Sequence, residues 1–292
     1  MSGEDGETFL ADTSEGKVCV ITGATSGIGQ VAAENLARMG VRLVLVARDE
    51  RRGEAMLARL RAATSAIAHA IHYADLSGIS ETKRVAAAIA AAEPRIDILI
   101  NNAGALFTAR QVTADGLEKH FAVNHMAYHL LTEGLRDRLF ASAPARVVST
   151  ASGAHLGARL DLDDLQMAKR YNGVQAYRRS KLYNIMWTRE LARRWAGRGV
   201  TVNCFHPGFV ATRYGDESGG LLSYAVRFAK LFAISPEKGA QTLTYLAASP
   251  EVAGVSGGYF VRCRLTRPSA DAENDEAARR LWDTTVRLAG AA

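Results

Sequence analysis

Cysteine is scarce in this 292-residue chain: Cys19, Cys204 and Cys263 stand far apart, each inside a stretch that reads as a strand. Three thiols so placed support neither a disulfide framework nor a zinc site, and they are expected to be buried. Long apolar runs are missing too. The best of them, such as the alanine-rich helix Val85 to Ala92, fall well short of the roughly 18 residues that cross a membrane, so no integral membrane segment is expected. Residues 1–15 carry Glu4, Asp5, Glu7, Asp12 and Glu15 but no Lys or Arg. Without the apolar core of an export signal they read as a disordered acidic tail, and the expected location is cytoplasmic. No solenoid repeat and no Pro/Ser-rich linker interrupts the remainder, so residues 16–292 read as one domain.

The formal net charge is +6, and Arg189, Arg193, Arg194 and Arg198 gather along one helical stretch. Acids interleave with the arginines over most of the chain and no DNA- or RNA-binding motif accompanies them, so a solvated helix face is expected and a nucleic-acid partner is not. His125 and His129 have the i, i+4 spacing of a metal pair, with His120 and Glu133 nearby. No Glu follows the first His and no third ligand is evident, so the reading is a packed helix face and no metal.

Strand-like segments near 17–22, 41–47, 66–72, 96–100, 145–150, 200–205 and 257–262 alternate with helical ones. Such alternation predicts an α/β fold with a doubly wound, seven-stranded parallel sheet covered on both faces. Ligands of these sheets bind beyond the carboxyl ends of the strands. The first strand, Val18 to Ile21, runs into Thr22-Gly23-Ala-Thr-Ser-Gly27-Ile-Gly29 and then into a helical pattern. Glycines permit a tight turn and close approach of a ligand, and the free N–H groups of the helix start favour a pyrophosphate. The spacing differs from the G-x-G-x-x-G fingerprint. About 150 residues downstream, Tyr177 and Lys181 share one helix face. An ammonium beside a phenol favours its ionised form, drawing a group of unperturbed pKa about 10 toward a working acid/base.

Further segments join these two: Asn101-Asn-Ala-Gly104 after a strand, Asn124, Ser152 after the strand Arg146 to Thr150, and His206-Pro-Gly208 after Val200 to Phe205. Together they resemble the short-chain dehydrogenase/reductase family from about Lys17 to the C-terminus. Within it the retinol-dehydrogenase-like carbonyl reductases look most similar, on Ala151-Ser-Gly-Ala-His155, Ser180-Lys-Leu-Tyr-Asn184, Thr188-Arg-Glu-Leu191, Gly258-Tyr-Phe260 and Ala277 to Trp282. The resemblance implies a single Rossmann-type domain and hydride exchange between a nicotinamide and a carbonyl or alcohol. It makes Tyr177 the acid/base, Ser152 a hydrogen-bond partner of the carbonyl oxygen, Lys181 the holder of the nicotinamide ribose and Asn124 the anchor of a water linking Lys181 to solvent. Cofactor contacts are implied at Gly23, Thr25, Ser26, Gly27, Ile28 and Gly29 of the turn, at Asp75 and Leu76 beside the adenine, and at Asn102, Ala103 and Gly104. Tyr177 and Lys181, then Pro207, Gly208, Val210 and Thr212, complete that implied set.

Cofactor choice is read at the end of the second strand. Ala47 stands where the family's NAD enzymes carry Asp, and Arg48 follows it. An Arg there can pair with the 2′-phosphate, which favours NADP(H) over NAD(H), although Ser26 lacks the basic side chain some NADP members carry in the turn. The expected substrate is a small apolar aldehyde, ketone or alcohol. Two stretches, Asp161 to Gly173 and Thr212 to Ser235, are candidates to cover it. A homo-oligomer is compatible with this reading. The alternatives are reduction of a conjugated carbon–carbon double bond, as in the similar light-dependent protochlorophyllide reductases, or a non-catalytic NADP-binding protein.

Overall fold

A hydrophobic alternation of period two builds the centre of the molecule. In strand β1 (Val18–Thr22), Cys19 and Ile21 enter one core cluster while Val18 and Val20 enter another. Strand β2 (Arg42–Ala47) divides Leu43 and Leu45 from Val44 and Val46 in the same way, and β4 (Ile98–Asn101) divides Ile98 and Ile100 from Leu99. Both faces of the sheet are therefore buried, the condition for parallel strands under two helical layers. The computed structural model describes residues 14–208 and 235–290.

The sheet has the order β3 (Ala70–Tyr73), β2, β1, β4, β5 (Ala145–Thr150), β6 (Val200–His206), β7 (Tyr259–Val261), β8 (Arg264–Leu265). Every neighbouring pair is parallel except the last, β7 with β8. The expected α/β architecture is present, with one correction: the sheet has eight strands and not seven. The added strand is two residues long and turns back through Arg262 and Cys263 at φ 51° and 60°. Neither residue type announces a left-handed turn, so no strand signal stood there. Cys263 accordingly lies in a turn and is half-buried, whereas Cys19 and Cys204 are fully buried strand residues. β3 also starts later than its apolar run suggests. The His69 side chain stands in for a strand partner: its Nδ1 accepts the Leu43 backbone N–H at 3.0 Å.

Helices α1 (Gly27–Arg38), α2 (Glu50–Ala63) and the later Pro236–Ala248 supply one layer. On the other face lie α3 (Ile79–Ala92), then the run Lys119–Phe121, Ala122–Met126 and Ala127–Gly134, and the long helix Gly173–Arg194. The arginine-rich stretch is exposed as expected at Arg193, Arg194 and Arg198, with Arg189 half-buried, and the same side chains also make docking contacts. Arg189 and Arg193 reach Asp275 at 3.3 and 3.2 Å, Arg194 lies 4.6 Å from the Trp282 ring centroid, and Arg198 lies 4.5 Å from that of Phe140. The contacts of Arg189, Arg193 and Arg194 fasten the terminal helix Asp275–Gly290 to the long one, while Arg198 packs on the short helix Arg136–Ala141. Among the described residues, no helix is long and apolar enough to cross a membrane. Of the expected tail, only Ser14 and Glu15 are described. Ser14 is already buried, and Gly16 N–H bonds to the Gly40 carbonyl at 3.1 Å.

Candidate active site

The carboxyl ends of β1, β4 and β5 are stitched together by Asn102. Its Nδ2 donates to the carbonyls of Thr22 and Gly23 at 3.1 and 3.2 Å, and its Oδ1 accepts the Thr150 hydroxyl at 3.1 Å. Thr22 Oγ1 in turn accepts the N–H groups of Asn102 and Ala103, both at 2.9 Å. This is where the strand order reverses, between β1 and β4, the place where doubly wound sheets open a ligand crevice. The glycine turn closes tightly on it. A Cβ on Gly29 would stand 2.3 Å from the Gly23 carbonyl oxygen and 2.4 Å from Asn102 Nδ2, and Gly23 itself has φ 70°.

Helix α1 opens at that turn with no acid in its first turn, and Ser26 at its N-cap makes no side-chain capping bond. The helix thus places no carboxylate of its own first turn at its N–H groups and dipole, which fits the pyrophosphate of a dinucleotide. Ile28 packs into the core, while Gly27, at φ 58°, Thr25 and Ser26 remain partly exposed beside the turn. Ala103 and Gly104, also partly exposed, continue the edge of the crevice beyond β4.

Ala47 ends β2 buried, and Arg48 follows exposed. The next residue, Asp49, is the N-cap of α2: its Oδ1 accepts Arg52 N–H at 2.8 Å. Arg52 was not among the expected contacts, yet its Nη2 reaches the Thr25 carbonyl at 3.4 Å, which puts a second guanidinium beside the turn. The spacing Arg48 to Arg52, one helical turn past a capping Asp, is the signal that could have found it. Asp75 is exposed and accepts the Ser77 N–H at 2.9 Å, and Leu76 packs partly into the core. Asp75 does not cap α3, whose first N–H, from Ile79, goes to Asp115 Oδ2 at 2.8 Å. Gly208, φ 88°, follows Pro207, and its N–H reaches His206 Nδ1 at 3.3 Å. Val210, Thr212 and all of the segment 212–235 except Ser235 lie outside the described residues.

Helix α7, counting Lys119–Phe121, Ala127–Gly134 and Arg136–Ala141 as α4 to α6, is Gly173–Arg194. Asn172 caps it, accepting Gln175 N–H at 2.9 Å, and this aligns Tyr177 and Lys181 on one face. Lys181 is 2% exposed, its Nζ donates to the Thr150 carbonyl at 3.0 Å, and burial draws its pKa down from the usual lysine range to about 7. The same Nζ lies 5.8 Å from the Tyr177 ring centroid and 6.0 Å from that of Tyr128. Ser152 caps the short 3-10 turn Gly153–Gly157: its Oγ accepts Ala154 N–H at 3.1 Å, a bond that does not use the hydroxyl hydrogen.

Asn124 lies in a π-helical turn and is fully buried. Its Oδ1 accepts Ala105 N–H at 2.9 Å, and its Nδ2 donates to the Ala105 carbonyl and the Ser180 hydroxyl at 2.9 and 3.0 Å. Both amide hydrogens are thus taken within the protein, so this side chain braces the loop after Asn102 against α7. His125 and His129 face different partners: Thr285 at 2.9 Å, and Trp187 at 3.4 Å. Burial lowers their pKa values to about 3 and about 4. His155 accepts Ser269 N–H on Nε2 and bonds the Ser152 carbonyl through Nδ1, a local brace.

The model of the short chain dehydrogenase family matches residues 17–219. The chain is 41% identical over 286 residues to human Retinol dehydrogenase 13, covering 95% of this chain and 86% of that protein. To mouse Retinol dehydrogenase 12 it is 42% identical over 275 residues, covering 94% and 87%. Among solved structures, an uncharacterized protein from Mycobacterium Paratuberculosis superposes with a TM-score of 0.76 at 29% identity, covering 96% of this chain and 97% of that one. A short chain dehydrogenase from Burkholderia cenocepacia J2315 in complex with NADP gives 0.69 at 25%, covering 85% and 96%. The chain belongs to the short-chain dehydrogenase family, and it is an oxidoreductase of CH–OH and C=O groups.

Proposed function

We propose that the protein interconverts an apolar aldehyde or ketone and its alcohol with NADP(H), Tyr177 serving as acid/base. The observation that carries this reading is Lys181: a buried ammonium, its pKa drawn down to about 7, held by Thr150 one helical turn from Tyr177. Such a cation stabilises a phenolate and eases proton transfer through the Tyr177 hydroxyl to a carbonyl oxygen. Ser152, whose Oγ already accepts one backbone N–H, donates its hydroxyl hydrogen to that oxygen and fixes the carbonyl. Asn124 holds Ala105 and Ser180 in register, so the loop beyond Asn102 and the face of α7 keep a constant separation. NADP(H), when bound, supplies or accepts the hydride.

The glycine turn and the N-terminus of α1 would hold the pyrophosphate, and Arg48, joined by Arg52, the 2′-phosphate. Asp49 caps α2 through Oδ1, and Ala47 offers no carboxylate at the end of β2, which supports NADP over NAD. Asp75 and Leu76 would flank the adenine, and Asn102 to Gly104 with Pro207 and Gly208 the nicotinamide half. Val210, Thr212 and the segment to Ser235 are proposed from the sequence as further cofactor contacts and substrate cover. A retinoid-like or comparably apolar substrate agrees with the names of the relatives. The absence of disulfides among three thiols agrees with a reducing, cytoplasmic setting.

The test is a panel of lipophilic aldehydes and ketones assayed for NADPH and NADH oxidation. Turnover with NADPH and aldehydes supports the reading. Reduction confined to conjugated double bonds, or tight NADPH binding with no turnover on any member, overturns it.

A further inference from the structure

Glu118 and His120 are 2% and 0% exposed, and neither takes part in the proton transfer proposed above. Glu118 Oε1 accepts His120 Nδ1 at 2.8 Å and the Tyr171 hydroxyl at 3.2 Å, while Oε2 accepts the Phe121 N–H at 2.9 Å. Burial works against this carboxylate, but its hydrogen bonds from His120 and Phe121 hold it below the ordinary range. On the far side of the imidazole, Nε2 meets the backbone N–H of Phe107 at 2.9 Å. Two donors cannot face each other, so Nε2 is the acceptor and the ring is the neutral Nδ1–H form.

The imidazole thereby ties a buried carboxylate to the backbone of the loop that leaves Asn102. Its ring meets Phe107 edge-on, with centroids 5.1 Å apart, and meets Tyr177 at 6.3 Å. The same loop is pressed from a second side at the start of α7. A Cβ on Gly173 would lie 2.4 Å from the Phe107 carbonyl oxygen and 2.8 Å from that of Thr108. Apolar residues would fill this space without the desolvation that a buried polar pair suffers. What the polar pair adds is directionality: one donor and one acceptor on opposite edges of a ring set the spacing of what they hold.

We propose that His120, oriented by Glu118, is a positioning residue that sets the Phe107 segment and the Tyr177 ring at a fixed separation. Phe107, half-buried at that position, is then a contact for the apolar part of the substrate and helps determine specificity. The inference rests on the reading of Tyr177 as the proton-transfer group. A displacement of about 1 Å between reacting groups can lower turnover on the order of a hundredfold, so a device that fixes this distance has a large effect to exert.

The experiment compares wild type with His120→Phe, which keeps the ring volume but removes both hydrogen bonds, and with His120→Gln, whose amide can still donate to Glu118 and accept from Phe107. For a long apolar aldehyde, kcat of His120→Phe is expected to fall by about tenfold or more, with NADPH affinity within about twofold, and His120→Gln to recover most of the loss. Amide hydrogen exchange at Phe107 should accelerate in the Phe variant and remain slow in the Gln variant. Should His120→Phe not fold, His120→Asn, too short to span from Glu118 to Phe107, carries the same expectations. Wild-type kcat in the Phe or Asn variant, or equal losses in the Gln and Phe variants, overturns the proposal. Exchange that follows the expected order in a wild type with no carbonyl turnover would overturn the functional reading and leave the positioning of Phe107 standing.

Discussion

Lys181 Nζ lies 5.8 Å from the centroid of the Tyr177 ring while donating to the Thr150 carbonyl at 3.0 Å. The ammonium is thus anchored to the end of β5, and its position relative to the phenol is set by the sheet and not by side-chain freedom. Asn184 donates to the same carbonyl at 3.2 Å, so Thr150 serves as a fixed post for two side chains of α7. The proposed acid/base, built this way, responds to substitution in separable steps.

Tyr177→Phe is expected to keep NADPH binding and to lose at least about a hundredfold in turnover, the lower end of what a positioned proton donor contributes. Ser152→Ala should likewise reduce the chemical step more than cofactor affinity. Cofactor fluorescence titration alongside steady-state kinetics separates the two quantities. Near-normal turnover in Tyr177→Phe would remove the residue from the proton-donor role.

Lys181 also makes a statement about stability. Its folded pKa of about 7 lies below the unfolded lysine value of about 10.4, so between those limits the unfolded chain binds more protons than the folded one. That difference makes stability rise with pH across the window: the burial penalty on the charged form is full below about 7 and fades toward about 10. Lys181→Met removes this contribution while Asn184 continues to satisfy the Thr150 carbonyl. The Tm difference, variant minus wild type, should be most positive near pH 7 and shrink as pH rises. A difference independent of pH would show that the ammonium is not desolvated in the fold.

The parts of this site that the sequence makes legible are those built from neighbours in the chain. The turn Gly23 to Gly29, the Tyr177 and Lys181 pair and the strand-end Asn102 are local patterns, and the alternation of Cys19, Val20 and Ile21 marks the sheet faces directly. The Glu118, His120 and Phe107 arrangement was not legible, because its hydrogen bonds join the start of α4 to the loop after β4, two segments whose approach only the tertiary fold determines. Asn124 stands out in the sequence only through the family resemblance, and its binding to Ala105 and Ser180 depends on a π-helical turn that no periodicity announces. Arg52 reaches the Thr25 carbonyl because Asp49 caps α2 and so fixes the direction of its first turn.

Arg48→Ala is expected to weaken NADPH by about 1.5 to 3 kcal/mol, the worth of a charge-assisted hydrogen bond, and barely to affect NADH. Arg52→Ala should add a smaller loss of the same sign. Ala47→Asp on the Arg48→Ala background should then turn preference toward NADH, since a carboxylate repels the 2′-phosphate and accepts from the ribose hydroxyl. Titrations of wild type showing equal affinity for the two reduced cofactors would refute this account of the strand end.

Gly29 offers the most local test of the crevice. A methyl group there would sit 2.3 Å from the backbone oxygen of Gly23, which cannot yield alone because Asn102 holds it through a 3.2 Å hydrogen bond. Any relief must shift the turn, α1 or Asn102, and each of these is fixed to the ends of β1, β4 and β5. Gly29→Ala should therefore destabilise the fold by about 1 to 3 kcal/mol, in the range of core overpacking, and weaken NADPH by more than its effect on Tm alone would suggest. Gly254→Ala is the matched control: its Cβ would meet nothing within 4 Å, and its effect should stay within about 0.5 kcal/mol. Chemical denaturation and NADPH titration of both variants read the two quantities. A Gly29→Ala protein with the stability and cofactor affinity of the Gly254→Ala control would mean that the glycine turn does not pack against Asn102 as described.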